Sequence, residues 1–252
     1  MIHGLDSFRK YFHGFEGQYA IIGGTACSIL MDEEGLEFRA TKDFDIVLIL
    51  EALTPEFGKR FWDYIKEAGY EHCNKSTGLP QFYRFSKPKN KAYPAMIELF
   101  SRREEQVLLT DNAVLTPLHV DDELSSLSAI LLDDDYYSFL CQGNVVVDGI
   151  SILGAEYLIP FKMKAWLDLS KRKLAGDAID SKNIRKHKND VFRLSELLIG
   201  SERILVPASV YADILDFIEK MDSEEIDLKQ LKIVGTNKNE ILNMLGAIYI
   251  VR

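Results

Sequence analysis

The chain has 252 residues, 47% hydrophobic and 27% charged, which excludes intrinsic disorder and supplies apolar material for one large domain or two modest ones. A formal net charge of −9 argues against binding nucleic acid over the whole surface, because phosphate backbones are held by lysine and arginine; a local basic patch remains compatible with it. Three scattered cysteines, Cys27, Cys73 and Cys141, without a C-x-x-C, suggest neither a disulfide framework nor a zinc site, and reduced thiols fit a cytoplasmic location.

The opening segment, MIHGLDSFRKYFHGF, mixes charge with aromatics and has no signal-peptide core, and no apolar run approaches a membrane span, so no membrane partner is expected. YAII at 19–22 reads as a short buried strand, Gly23-Gly24 as a tight turn, and TACSILM as the start of a helix with Thr25 as an N-terminal polar residue. DFDIVLIL is a second strand by its β-branched content. TPEFGKRFWDYIKEAG is a helix with Thr54 as N-cap, Pro55 at the first position and Gly69 at the end. QFYRFS and AMIELF, separated by the turn material KPKNKAYP, predict an antiparallel hairpin, and hence a mixed sheet.

Beyond residue 104 the pattern is weaker. LSSLSAILLDDDYYSFLCQG reads as a helix with an acidic kink, and NVVVDGISIL as a hairpin turning at Asp-Gly. From Glu156 onward only helices are expected: AEYLIPFKMKAWLDLSKRK, NDVFRLSELLI, PASVYADILDFIEKM and KNEILNMLGAIYI. The fold class expected is therefore α/β (α+β), a mixed-sheet domain over 1–155 followed by a helical C-terminal domain over 156–252. The charge-rich segment 171–190, with seven lysines and arginines against three aspartates, is expected to be a mobile connection.

Side chains alternate across a strand, so Asp43 and Asp45 share a face while Phe44 takes the other. At about 4–5 Å, two unpaired carboxylates repel by roughly 1 kcal/mol in water and by several times that when partly buried, so the pair needs a cation or a shared proton. Mg²⁺ or Mn²⁺ is the natural partner, since hard divalent ions take carboxylate oxygens and leave positions open for phosphate. Glu98 in MIELF has the same apolar flanks, and if the two strands are neighbours three carboxylates meet, the ligand set of a two-metal phosphoryl or nucleotidyl transfer site. The Gly-Gly turn complements it, because glycine admits an anion close to the backbone and the following helix N-terminus offers free N–H groups.

These residues resemble the polymerase-β-type nucleotidyltransferase superfamily in Gly23-Gly24-Thr25, the Arg39-x-Thr41-x-Asp43-x-Asp45 run and Glu98. The chain is most similar to the AbiEii-type branch, the nucleotidyltransferase-like toxins of abortive-infection and type IV toxin–antitoxin systems. There a downstream lysine and a K-x-D-type motif recur, which FKMKAWLDL and KHKNDVFRL resemble. The resemblance implies a nucleotidyltransferase fold and transfer of a nucleoside monophosphate from NTP to a hydroxyl of RNA (tRNA included), protein or a small molecule, with pyrophosphate leaving. It implies Asp43, Asp45 and Glu98 as catalytic residues and metal ligands. It nominates Gly23, Gly24, Thr25, Arg39, Thr41, Lys162 or Lys164, and Asp190, joined by Lys188, for the nucleotide, and an antitoxin protein as a partner.

Each residue also has a plainer reading. The two lysines of FKMKAW are two apart, face different sides of a helix, and could simply snorkel into solvent. Asp190 is placed to cap the helix VFRLSELL. Arg39 and Thr41 could be loop residues, and the basic segment either a solvated loop or a contact for an RNA acceptor. Two other functional classes share the pattern: a non-catalytic nucleotide-binding regulator, and a metal-dependent kinase releasing NDP.

Overall fold

Alternation along β2 (Asp43–Leu48) divides the molecule into two faces. In this computed structural model Phe44 is fully buried, and its ring packs 5.4 Å from that of Phe8 on α1 (Leu5–Phe12). Tyr64 of α3 (Pro55–Ala68) packs on the same Phe8 ring at 5.8 Å, so an aromatic cluster from two helices covers this face. Asp43 and Asp45 point to the opposite face, toward α2 (Gly23–Glu33). The structure describes residues 2–71, 84–101, 130, 131 and 133–252, together with the backbone of 107–110 and 113–115. Cys73, the first half of the strand expected at 81–86 and most of the stretch before Asp133 lie outside the described residues.

The sheet is mixed, as the sequence predicts. Six strands run in the order β3-β4-β2-β1-β8-β7, with β1 Tyr19–Ile22, β3 Arg84–Ser86, β4 Met96–Phe100, β7 Asn144–Val147 and β8 Ile150–Leu153. β1 pairs antiparallel with β2, and β2 runs parallel to β4, which puts Asp45 opposite Glu98 and Asp43 opposite Met96. β3 and β4 form the expected antiparallel hairpin. The hairpin of β7 and β8 turns at Asp148 and Gly149, both at positive φ, the conformation a two-residue Asp-Gly turn requires. β5 (Val107–Thr110) and β6 (Ala113–Leu115) make a separate antiparallel pair.

Local signals set the helix ends. The Thr54 hydroxyl accepts from Phe57 N and Gly69 closes α3 in the left-handed region. Asp133 is the N-cap of α4 (Asp134–Gln142), accepting from Asp135 N and Tyr136 N, so the acidic run starts a helix.

The C-terminal part carries α5 (Ala155–Leu174), α6 (Ser181–Leu194), α7 (Ala208–Met221) and α8 (Lys238–Ile248). Two expectations are corrected here. Strands do not stop at residue 155: β9 (Ile204–Val206) and β10 (Tyr249–Val251) pair in parallel, since the β-branched and aromatic end of the chain leaves α8 to join Ile204. The segment 171–190 is not a mobile connection. Asp180 accepts from Lys182 N and starts α6 at Ser181, so its second half is helix and only about six residues link the two helices.

Helix α5 contains Pro160, which has no N–H for the carbonyl of Glu156 one turn earlier. The buried Tyr249 hydroxyl donates to that oxygen at 2.7 Å. The last strand thereby completes the helix that builds the site described next.

Candidate active site

The site forms where β2 and β4 meet the start of α2. Gly23 has φ +67°, open to glycine without strain, and a Cβ built on it would stand 1.9 Å from Asp45 Oδ2, so only glycine fits against this carboxylate. Gly24 is the next close approach: a Cβ there would be 3.0 Å from both Arg39 Nη2 and Thr41 Oγ1. The Gly-Gly pair thus touches the acid on one side and the Arg39/Thr41 loop on the other. Thr25 is fully buried and donates to the Asp43 carbonyl at 2.8 Å, which ties the first turn of α2 to β2.

Asp45 and Glu98 are register partners across β2 and β4. Burial, followed by the charge of Glu98, raises the Asp45 pKa to about 7, with Lys162 and Lys186 pulling it partly back. Glu98 is likewise raised by burial; Arg84 on β3 opposes this, with its Nε 2.5 Å from Glu98 Oε1, and Asp43 adds to it. Asp43 lies one rung away, so among the described residues no group of three acid, histidine or cysteine side chains converges as a ready-made metal cage. Asp45 and Glu98 thus form a facing pair, with Asp43 beside them on the same face of β2 and near enough for its charge to act on Glu98. This donor set fits a divalent cation: two facing carboxylates with raised pKa values are an anionic pair short of positive charge, and their oxygens are hard ligands.

The late motif is built differently from its plainer readings. Asp190 is not a cap; it sits in the interior of α6, fully buried. Arg39 grips it with two nitrogens, Nε at 3.2 Å and Nη2 at 3.0 Å, and Lys162 Nζ lies 3.1 Å from the same carboxylate. Burial alone would push the Asp190 carboxyl up, but Lys162 and Arg39 bring it down to about 2. Burial works against the Lys162 ammonium in turn, yet its pKa lies above the ordinary value, with Asp190 among the groups that hold it charged.

Lys162 and Lys164 diverge as their spacing predicts. Lys162 lines the pocket, while Lys164 turns to α7 and pairs with Asp213 at 3.0 Å. Lys188 also points elsewhere, bonding Glu224 at 2.6 Å and the Glu225 carbonyl at 2.7 Å.

Together these elements enclose a hollow of about 300 Å³, at the lower end of the range for small-molecule sites. Gly23, Gly24, Asp45, Glu98, Lys162 and Lys186 form its polar wall, and Leu158, Phe161 and Ala165 of α5 its apolar one. A larger, more open hollow of about 830 Å³ lies between α6 and residues 222–238. It contains none of the β-strand acids or the glycine turn, and its Lys188 and Lys238 are bonded to the protein's own carboxylate and carbonyls. The smaller hollow is therefore the candidate site.

Lys186 and His187 belong to this site and were not singled out from the sequence. Burial and the nearby Arg39 and Lys162 lower the Lys186 pKa, and burial takes His187 to about 3, so the imidazole is neutral at physiological pH. Its Nδ1 is buried without a hydrogen-bond partner among the described residues. The i, i+4 relation of Lys186 to Asp190 would have flagged the lysine had α6 been read from Ser181.

No protein-family profile and no curated protein matches the chain. Among solved structures it is similar to the antibiotic-resistance factor ANT(2'')-Ia, with 10% identity and a TM-score of 0.34 over 86% of this chain and 95% of that one. It is also similar to the Megavirus polyadenylate synthase, with 9% identity and a TM-score of 0.28 over 96% of this chain and 49% of that one. Superpositions of this quality leave the reading of the site to its own residues. Among the described residues no helix is long and apolar enough to cross a membrane.

Proposed function

We propose that the chain is a metal-dependent nucleotidyltransferase of the polymerase-β type, moving a nucleoside monophosphate from an NTP to an acceptor hydroxyl. The observation that carries this reading is the Asp45–Glu98 rung lying against the Gly23 turn, with Lys162 and Lys186 across the same hollow. Residues 1–155 would supply the acids and the glycine turn, and 156–252 the lysines that close over them.

In this reading Asp43, Asp45 and Glu98 would hold Mg²⁺ or Mn²⁺, which would supply positive charge to offset that of the reacting phosphates. Gly23 and Gly24 let the triphosphate approach the first N–H groups of α2, and Thr25 keeps that turn registered on β2. Lys162 and Lys186 place positive charge on phosphate oxygens, while Asp190 positions Lys162 and Arg39 rather than touching nucleotide itself. The apolar wall of α5 receives the base. The acceptor oxygen forms a bond to the α-phosphorus, the bond to pyrophosphate breaks, and the hydroxyl proton passes to a carboxylate, which in this reading is Glu98.

Membership of the AbiEii branch, with a toxin role and an antitoxin partner, rests on the motif resemblance alone; growth arrest on expression, relieved by the neighbouring gene product, would test it. The Arg84 bond to Glu98 favours a second reading, a non-catalytic nucleotide-binding module in which that acid is already neutralised. Product analysis separates the classes. Pyrophosphate released from NTP and Mg²⁺ with mixed cellular acceptors supports transfer, NDP indicates a kinase, and unchanged NTP that nonetheless binds indicates the module.

A further inference from the structure

Beside the acid pocket lies a second, open hollow of about 320 Å³ lined by Arg39, Lys182, Arg185, Lys186 and Arg193, with Asn189. Five cations there face one carboxylate, Asp190, which Arg39 and Lys162 already neutralise. In a chain of net charge −9 this is a local reversal of sign. Lys182, Arg185, Lys186, Asn189 and Arg193 recur at i, i+3, i+4, i+7 and i+11 on α6, a single stripe about 16 Å long. Lys182, Arg185, Lys186 and Arg193 form no ion pair among the described residues. At one end the Arg39 and Arg193 guanidinium groups both lie over the Phe38 ring, at 5.1 and 5.6 Å from its centre, which ties both cations to one aromatic side chain. Lys186 lines both hollows, so the stripe runs directly into the acid pocket.

We infer that this stripe holds the phosphodiester backbone of a single-stranded nucleic acid whose 3′ hydroxyl enters the acid pocket as the acceptor. The inference rests on the transferase reading for the role of the hydroxyl, and on the charge pattern alone for the binding. A row of unpaired cations longer than a triphosphate needs suits a ligand with repeated phosphates, and a polynucleotide end carries both these and the hydroxyl that the reaction consumes. A small-molecule or protein acceptor would leave most of the stripe without a partner.

Lys182 and Arg185 are exposed, so Lys182→Ala/Arg185→Ala leaves the fold untouched. The test measures binding of fluorescein-labelled 16-nucleotide single-stranded RNA and DNA by anisotropy across a salt series, without NTP. The double variant is expected to bind weaker by on the order of tenfold and to flatten the log–log salt slope by about 1.4, two contacts at roughly 0.7 each. RNA tighter than DNA would add a 2′-hydroxyl contact, and equal affinities would mean the backbone alone is held. Unchanged affinity in the variant, or no binding by wild type, overturns the inference. An oligonucleotide that binds through the stripe but never gains label removes the transfer reading and leaves the binding assignment. Label entering a protein or small acceptor at equal rates in wild type and variant leaves the transfer reading and overturns the stripe as the acceptor's site.

Discussion

Gly23 and Asp45 are in direct apposition: the glycine α-carbon leaves no room for a methyl group before the Asp45 carboxylate, and its φ of +67° disfavours any other residue. Gly23→Ala therefore introduces both backbone strain and a displaced acid. The expected result is a loss of stability of about 1–2 kcal/mol from the strain, and NTP–Mg²⁺ affinity reduced by on the order of tenfold as the acid shifts. Urea unfolding and calorimetric titration read the two separately; unaltered affinity would remove the turn from the site.

The Arg39–Asp190–Lys162 cluster predicts a pH dependence. The Asp190 pKa is about 2 in the fold against an ordinary 3.8, so its stabilisation is fully present above about 3.8 and is lost as pH falls through about 2. Asp190→Asn leaves Arg39 and Lys162 facing each other without a counterion and should cost about 3–5 kcal/mol at neutral pH. Denaturation curves at pH 7 and pH 2.5 should differ more for wild type than for the variant; equal differences would contradict the assignment.

Lys162 and Lys164 make a paired control. Lys162→Met should abolish NTP binding, whereas Lys164→Met, whose partner is Asp213 on α7, should retain it and lose about 1 kcal/mol or less of stability. Equal loss of NTP affinity in both would contradict the orientation of α5. Circular dichroism checks that each variant is folded.

Tyr249→Phe tests how the chain end supports the site. Removing the hydroxyl leaves the Glu156 carbonyl at Pro160 without its donor, and about 1 kcal/mol of stability should be lost with no direct effect on acceptor binding. A fully stable variant would mean that another group satisfies this oxygen.

Much of the site's first half is legible in the sequence because strand geometry is periodic. Asp43, Phe44 and Asp45 must alternate, and the hairpin with Glu98 needs only a short polar turn. The second half is not, because its decisive relations are between elements. Asp190 reads locally as a cap, and only the docking of α6 against α5 and the Arg39 loop turns it into an ion-pair centre. Reading this helix as NDVFRLSELLI, from Asn189 instead of Ser181, hid the shared face of Lys182, Lys186 and Asp190. The ribbon of β9 and β10 was unreadable for a similar reason: Ile204 and Tyr249 are far apart in sequence, and the helical period of α8 runs to within a residue of the strand.

The most direct test of the account is the fate of the α-phosphate. The purified protein and its Asp43→Ala/Asp45→Ala variant are incubated with Mg²⁺, total RNA and each α-³²P-labelled NTP, and label is followed into RNA, protein and small products. The account predicts covalent label from wild type and none from the variant. Label that persists in the variant, or none from a wild type that binds NTP tightly, would contradict it.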